Sequence, residues 1–274
     1  MTRSQPYKVV ILCGGIGTRL REETEFKPKP LVEIGERPIL WHIMKHYSQF
    51  GFRDFILALG YRGEMIVDYF ENYSRRTQDY TLSLDRKSER VFHGEREGDE
   101  QHWRITFAWT GQATMTGGRI KKIERYIEED LFLATYGDGL SDIDISEELA
   151  FHRKEGKIAT LAGVHLPTTF GVLEADGHTV AEFREKPVLK GWINGGFFVF
   201  NREFFSYLDG DDEVLEERPM KQLVAERQLS VFPHEGFWKC MDTYKDFVAL
   251  NQIWTSEAAP WKTWNDEGVR GRRS

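Results

Sequence analysis

The chain has 274 residues, 40% of them apolar and 30% charged, with a net charge of −7. That length accommodates one large α/β domain or two small ones. The acidic balance excludes a protein that coats duplex nucleic acid, and no apolar run approaches bilayer-spanning length or forms a signal-peptide core, so the expected compartment is the cytoplasm.

In chain order, residues 1–7 read as a short flexible lead. Lys8–Cys13 (KVVILC) is an apolar run of the kind that forms a parallel strand buried on both faces. Gly14, Gly15 and Gly17 follow, where the backbone turns and approaches a ligand closely. Arg19, Lys27 and Lys29 lie in the same loop. A strand, a glycine turn and three cations describe an anion site, in which backbone N–H groups form a nest and side chains complete the charge balance. Two familiar phosphate motifs fail here. The dinucleotide fingerprint needs a glycine where Leu20 stands, and a Walker A loop needs a lysine where Thr18 follows Gly17. An ordinary glycine turn with solvated charges is the bland alternative. KPKP at Lys27–Pro30 tips the balance, because each proline restricts the lysine before it to extended backbone and so aims its ammonium.

Ile39–Gln49 carries apolar residues at helical spacing, and Gly51 ends it. Asp54–Leu59 is a second buried strand. Residues 63–73 read as a helix with Met65, Ile66, Tyr69 and Phe70 on one face. This alternation predicts an α/β fold: a doubly wound, Rossmann-like, mixed but mostly parallel sheet with inserted hairpins. Residues 75–103 are charged and poorly periodic, and read as a hairpin or loop excursion serving as a lid or subunit contact. Strands are expected at 104–110, 131–135, 158–164, 195–201 and 229–233. Helices are expected at 117–127, 145–155 and 243–255, and one or two within 213–228, interrupted at Pro219. Asp176–Gly177 signals a hairpin within 171–184. Residues 266–274 read as a flexible tail, and the whole chain as a single domain.

Asp138 lies just after a strand, between Gly137 and Gly139. That is the carboxyl end of a parallel sheet, where ligands bind, and the glycines let a carboxylate reach a hard cation. A plain turn residue is the alternative. Asp242 is either a second carboxylate of the site or the N-cap of the 243–255 helix. Cys13 and Cys240 lie outside any C-x-x-C pattern and read as small buried thiols, not zinc ligands. His42 and His46 recur at i, i+4 with no carboxylate pattern, so they read as helix-face residues.

GGxGTRL, KPKP, PILWHIMK, TGGR, TYGDG, REKP, INGGFFVFN, FWKCMDT and APWKTW occur in that order along the chain. Together they resemble the sugar-1-phosphate nucleotidyltransferases, and most closely the glucose-1-phosphate cytidylyltransferase (CDP-glucose synthase) family. The resemblance implies the nucleotide-diphospho-sugar transferase type of fold. It implies transfer of a cytidylyl group from CTP to α-D-glucose 1-phosphate, with Mg²⁺ held by Asp138 and Asp242. Arg19 matches the family's triphosphate contact and Lys29 its α-phosphate contact. Leu12, Gly14, Gly15, Gly17, Thr18, Thr114, Arg119 and Gly137 match further substrate contacts. Glu185 and Lys186 match the sugar-phosphate contacts, and Asn194 and Gly195 those to sugar hydroxyls. A homo-oligomer is implied, with no nucleic-acid or membrane partner.

Such a reaction needs no general base, because the attacking phosphate oxygen is already anionic; positioning and electrostatics carry it. The sequence departs from the family at Thr168 and Thr169, where an arginine is common, and at Cys13, where alanine is usual. The first departure leaves open a different sugar 1-phosphate. UTP or dTTP as donor, and a non-catalytic sugar-nucleotide sensor, are the remaining alternatives. Retention of both carboxylates weighs against a sensor.

Overall fold

The computed structural model describes residues 4–85, 89–94, 99–166, 168, 170–188 and 191–264. Its frame is a seven-stranded sheet. In chain order the elements are β1 (Lys8–Cys13), α1 (Ile39–Gln49), β2 (Asp54–Leu59), α2 (Gly63–Glu71), β3 (Tyr80–Leu82), β4 (Arg90–Phe92), β5 (Arg104–Trp109), α3 (Thr116–Ile123) and β6 (Leu131–Tyr136). There follow β7 (Gly139–Ser141), α4 (Ile145–Glu155), β8 (Ala159–Val164), β9 (Val172–Asp176), β10 (Thr179–Arg184), β11 (Ile193–Asn201), α5 (Arg218–Ala225), β12 (Leu229–His234), β13 (Trp238–Cys240) and α6 (Tyr244–Thr255). The sheet order is β12-β8-β11-β6-β1-β2-β5. β11 runs antiparallel to both its neighbours and every other adjacent pair is parallel.

β1 is buried along its whole length. Val9, Ile11 and Cys13 enter one apolar core, while Val10 and Leu12 enter the other. Burial on both faces demands cover on both faces, which is what a continuous apolar run signals. From β1 the sheet grows one way through β2 and β5 and the other way through β6. The loops after β1 and β6 therefore open into one crevice, the switch point where α/β sheets bind ligands.

Most expected elements fall where the pattern puts them, and the charged excursion takes the hairpin form of its two expected ones, β3 against β4. Three details differ. The 63–73 helix ends at Glu71, and a separate short turn follows. Pro219 does not interrupt a helix; it sits in the first turn of α5, where its missing N–H is harmless. In the lead, the Gln5 N–H donates to the Gly51 carbonyl at 2.9 Å and Arg153 Nη2 donates to the Tyr7 hydroxyl at 2.8 Å, so residues 5–7 are tied down. The tail at 266–274 lies outside the described residues.

The aromatic C-terminal segment is part of the core. Trp261 and Trp264 are buried, and both lie within 6.3 Å of the His42 ring. His42 and His46 are themselves buried on α1, and burial pushes both imidazoles down to about 4. They are neutral core groups, in keeping with the lack of a carboxylate pattern after them.

Glu148 on α4 is wholly buried, and neither carboxyl oxygen has a hydrogen-bond partner among the described residues. Burial pushes its carboxyl up to about 8. The folded chain thus keeps a proton that the unfolded chain releases near 4.5. The resulting cost is absent at low pH, grows as pH rises through that window, and levels off above about 8. Glu148→Met should therefore raise Tm progressively more between pH 5 and pH 8. The gap should reach several degrees, since about 1 kcal/mol moves Tm by roughly 2–4 °C at this chain size. Melting curves across that range check it; a gap independent of pH would contradict it.

Candidate functional site

Asp138 and Asp242 are far apart in sequence, and the backbone brings them together. β6 passes through Gly137 into Asp138. A Cβ at 137 would stand 2.9 Å from the Leu12 carbonyl oxygen and 3.1 Å from Pro30, so only glycine fits there. β7 then pairs antiparallel with β13, with Gly139 opposite Cys240. The Met241 N–H donates to the Asp138 carbonyl at 2.9 Å. This short ladder sets the two carboxylates side by side.

Lys29 lies between them. Its ammonium donates to Asp138 Oδ2 at 2.6 Å and to Asp242 Oδ1 at 2.8 Å. The lysine is 9% exposed. Burial works against its charge, but the two carboxylates outweigh burial and hold its pKa above the ordinary lysine value. KPKP aims this side chain somewhat differently from the extended segment expected. Pro28 is extended, and Lys29 then opens a single 3-10 turn closed by the Leu31 N–H on the Pro28 carbonyl at 2.8 Å. Arg19 is 72% exposed and places Nη2 3.0 Å from Asp242 Oδ1. Asp138, Cys240 and Asp242 offer ligand atoms that all lie within 4.8 Å of one another. Burial, followed by the charge of Asp138, pushes the Cys240 thiol well up, so it stays protonated.

The glycine loop after β1 is shaped from beneath by Arg119. Its guanidinium donates to the carbonyls of Gly14 (3.1 Å), Leu59 (3.1 Å), Gly111 (2.8 Å) and Gln112 (3.3 Å), and to Thr110 Oγ1 at 2.6 Å. A Cβ at Gly14 would overlap this guanidinium at 2.1 Å. The resemblance places Arg119 among the substrate contacts. In this structure it is buried, and both terminal nitrogens are engaged by the loops after β1, β2 and β5. What its contacts shape is the backbone of the loop at Gly14. Thr114 is likewise buried, donating to the Thr110 carbonyl at 2.7 Å. Gly17 has φ +69, and Thr24 Oγ1 closes the loop on its carbonyl at 2.9 Å. Thr18 heads a 3-10 turn with Arg19 and Leu20. Leu12 lies near the end of its strand beside this loop, accepting from the Gly137 N–H at 3.2 Å. A Cβ at Gly15 would meet nothing within 4 Å, so the backbone there is open to close approach.

The residues that the resemblance assigns to the sugar phosphate lie on β11 and just after β10. Glu185 and Lys186 follow β10 with exposed side chains 3.4 Å apart, and Lys186 has φ +45. No contact between either residue and the Asp138–Asp242 pair is seen among the described residues. Asn194 and Gly195 lie on β11, and the Gly195 carbonyl accepts from Trp238 Nε1 at 2.6 Å. Thr168 closes the base of the β9–β10 hairpin through its N–H on the Pro187 carbonyl at 2.8 Å. Thr169 lies outside the described residues.

The N-cap alternative for Asp242 fails. Thr243 is the cap: its Oγ1 accepts from the Asp246 N–H at 3.3 Å, and Asp246 Oδ2 accepts from the Thr243 N–H at 3.0 Å. The Thr-x-x-Asp spacing carries that signal in the sequence. Cys240 and the Met241 amide belong to the site as well; their contribution depends on the β7–β13 pairing, which no local pattern announces.

The nucleotidyl transferase family model matches residues 8–257. The glucose-1-phosphate cytidylyltransferases of Salmonella typhi and Salmonella typhimurium are each 46% identical over 259 residues, covering 94% of this chain and 99% of theirs. Among solved structures, CTP:phosphocholine cytidylyltransferase from Streptococcus pneumoniae is similar in fold, with a TM-score of 0.59 at 18% identity over 90% of this chain and 99% of that one.

The capping assignment has a direct consequence. Thr243→Ala should cost about 1 kcal/mol and lower Tm by roughly 2–4 °C. Thermal melting checks this, and an unchanged Tm would return the cap to Asp242.

Proposed function

The chain belongs to the nucleotidyl transferase family, and we propose that it transfers the cytidylyl group of CTP to glucose 1-phosphate, giving CDP-glucose and pyrophosphate. The observation that carries this reading is the convergence of Lys29, Asp138 and Asp242 beside the glycine loop. It occurs in a chain 46% identical to glucose-1-phosphate cytidylyltransferases along nearly their whole length.

A phosphate oxygen of glucose 1-phosphate attacks the α-phosphorus of CTP in line, and the bond from that phosphorus to the bridging oxygen of pyrophosphate breaks. The backbone of Gly14, Gly15 and Gly17, with Leu12 and Thr18, cradles the nucleotide. Arg19, on its exposed arm, pairs with the triphosphate. Lys29 carries its charge to the α-phosphate, exchanging carboxylate oxygens for phosphate oxygens. Lys186, with Glu185, holds the sugar phosphate, and Asn194 and Gly195 meet the sugar hydroxyls. Arg119, Thr114 and Gly137 keep the loop backbone in place.

The donor set fits Mg²⁺. Asp138 and Asp242 offer hard oxygens close enough to share one cation, and the ammonium of Lys29 already occupies such a position between them. The third nearby group, the Cys240 thiol, is soft and protonated and suits Mg²⁺ poorly. Bound to the two carboxylates, Mg²⁺ supplies neutralisation of phosphate charge as it builds toward the transition state. A cytoplasmic location belongs to the same reading; separately, no described helix is long and apolar enough to cross a membrane. A closed homo-oligomer belongs to it too, supported by the exposed apolar side chains of Leu84, Phe170 and Phe183 beside and on the hairpins.

Pyrophosphate release with glucose 1-phosphate and each nucleoside triphosphate in turn tests the base assignment. CTP should give the largest kcat/KM, with UTP next; equal turnover of dTTP and CTP would overturn it. Asp138→Asn and Asp242→Asn should each nearly abolish turnover in a chain that still folds, at a Tm lowered by the loss of one of the two charges that compensate Lys29. Their combination should cost little more than the worse single change, because two ligands of one ion act as a unit. Multiplicative losses in the double variant would separate the carboxylates' roles.

A further inference from the structure

Arg62, the residue before α2, has φ +49 and ψ +33. That left-handed conformation is strained for an arginine and open to glycine at no steric cost. Strain of this kind beside a functional site points to a use for the side chain. The guanidinium of Arg62 lies over the Tyr61 ring, 5.4 Å from its centroid, and Nε donates to the Tyr61 hydroxyl at 2.9 Å. Nη1 reaches across to the loop after β1 and donates to the Phe26 carbonyl at 2.7 Å.

The same turn holds the other end of that loop. The Tyr61 N–H donates to the Gly14 carbonyl at 3.2 Å. Gly60 passes so close that a Cβ there would stand 2.7 Å from the Gly14 oxygen. Residues 60–62 thus tether the chain at Gly14 and again at Phe26, and Gly15, Gly17, Thr18 and Arg19 lie between the two tethers. Inside the span, Thr24 Oγ1 donates to the carbonyls of Gly17 and Leu20 at 2.9 and 2.8 Å, which folds the segment on itself. Leu20 is buried, and Pro28 and Lys29 are buried at the far end. Phe26 is not a core anchor, since its side chain is 71% exposed. The outer half of the loop is held by the Phe26 carbonyl instead, and Arg62 holds it.

We propose that Arg62 is a positioning residue for the nucleotide: its guanidinium latches the outer half of the glycine loop at Phe26 and so sets where Arg19 meets the triphosphate. This rests on the assignment of that loop to the nucleotide under the proposed reaction. Arg62 acts through the loop backbone and takes no part in the chemical step. A loop that spends time out of place weakens binding in proportion to that time. Loss of the latch therefore falls on CTP, and leaves the sugar phosphate, assigned to β11 and to the residues after β10, largely unaffected.

The test uses the full chain with Arg62→Ala, Arg62→Gly and Arg62→Lys. Arg62 is partly exposed, so these changes leave the core intact. The first measurement is tryptic cleavage after Arg19 in the ligand-free chain, followed by mass, with cleavage after Arg184 at the end of β10 as the internal control. The second is steady-state kinetics with CTP and glucose 1-phosphate. Arg62→Ala and Arg62→Gly should speed cleavage after Arg19 about 10-fold relative to the control. Both should raise KM for CTP about 10-fold and leave KM for glucose 1-phosphate within about two-fold. Arg62→Lys keeps a donor that approaches the Phe26 carbonyl and should recover most of the CTP effect. Arg62→Gly should melt above Arg62→Ala, because glycine adopts the positive φ without strain. Weaker use of CTP by the more stable of those two variants separates positioning from general support of the fold. Raised KM for CTP with unchanged cleavage after Arg19 would overturn the latch, because it would put the guanidinium on the nucleotide itself. Equal rises in both KM values, or a rise in neither, would overturn it as well. If the unsubstituted chain does not turn over CTP with glucose 1-phosphate, the proposed reaction falls and the positioning role with it. Turnover by the unsubstituted chain with indifferent variants removes the role of Arg62 alone.

Discussion

Two carboxylates facing one site repel each other, and a fold that keeps them there must supply both a mechanical hold and a compensating charge. In this protein the hold is the short β7–β13 ladder with the Met241 N–H on the Asp138 carbonyl. The charge is Lys29, at 2.6 and 2.8 Å from the two carboxylates. Burial of the ammonium works against it, and the carboxylates more than offset that. An ion pair with this burial is costly to break by removing one partner, because the charge left behind is uncompensated. The cluster is therefore best understood as a charge-balanced unit, open on the Arg19 side, where a cation and phosphate oxygens can replace one set of partners with another.

The surrounding architecture serves that unit. The sheet changes direction of growth between β1 and β6, so the glycine loop and Asp138 emerge next to each other without any long excursion of chain. Arg119 braces the loop from below through four backbone carbonyls and the Thr110 hydroxyl. A buried guanidinium satisfied by fixed carbonyls holds several strand ends in register at once, and so converts strand packing into loop shape. Gly137 permits the close passage of β6 past Leu12 and Pro30 that brings Asp138 to Lys29.

Much of this is legible in the sequence, for identifiable reasons. β1 and β2 are continuous apolar runs and α1 has helical periodicity, and all three occur at the expected residues. The KPKP and YGDG segments carry their chemistry locally, so Lys29 and Asp138 stand out before any fold is known. What is not legible is tertiary. Nothing near Arg119 says that its guanidinium will be enclosed by carbonyls from three loops. Nothing near Trp261 and Trp264 says that they fill a core against His42 instead of facing outward. Tyr136 looks like one more aromatic at a strand end until Glu216 is folded onto its hydroxyl and Gly196 under its ring. The role of Thr243 is within reach of the sequence, since its spacing to Asp246 is a local capping pattern.

The central claim is that Asp138 and Asp242 together hold one divalent cation against the nucleotide. Mn²⁺ is a spectroscopic stand-in for Mg²⁺, and its binding can be followed by electron paramagnetic resonance in the presence of CTP, without turnover. A single tight Mn²⁺ site per chain is expected, lost in Asp138→Asn and lost equally in Asp242→Asn. A tight site that survives intact in the Asp242→Asn chain would contradict the shared site.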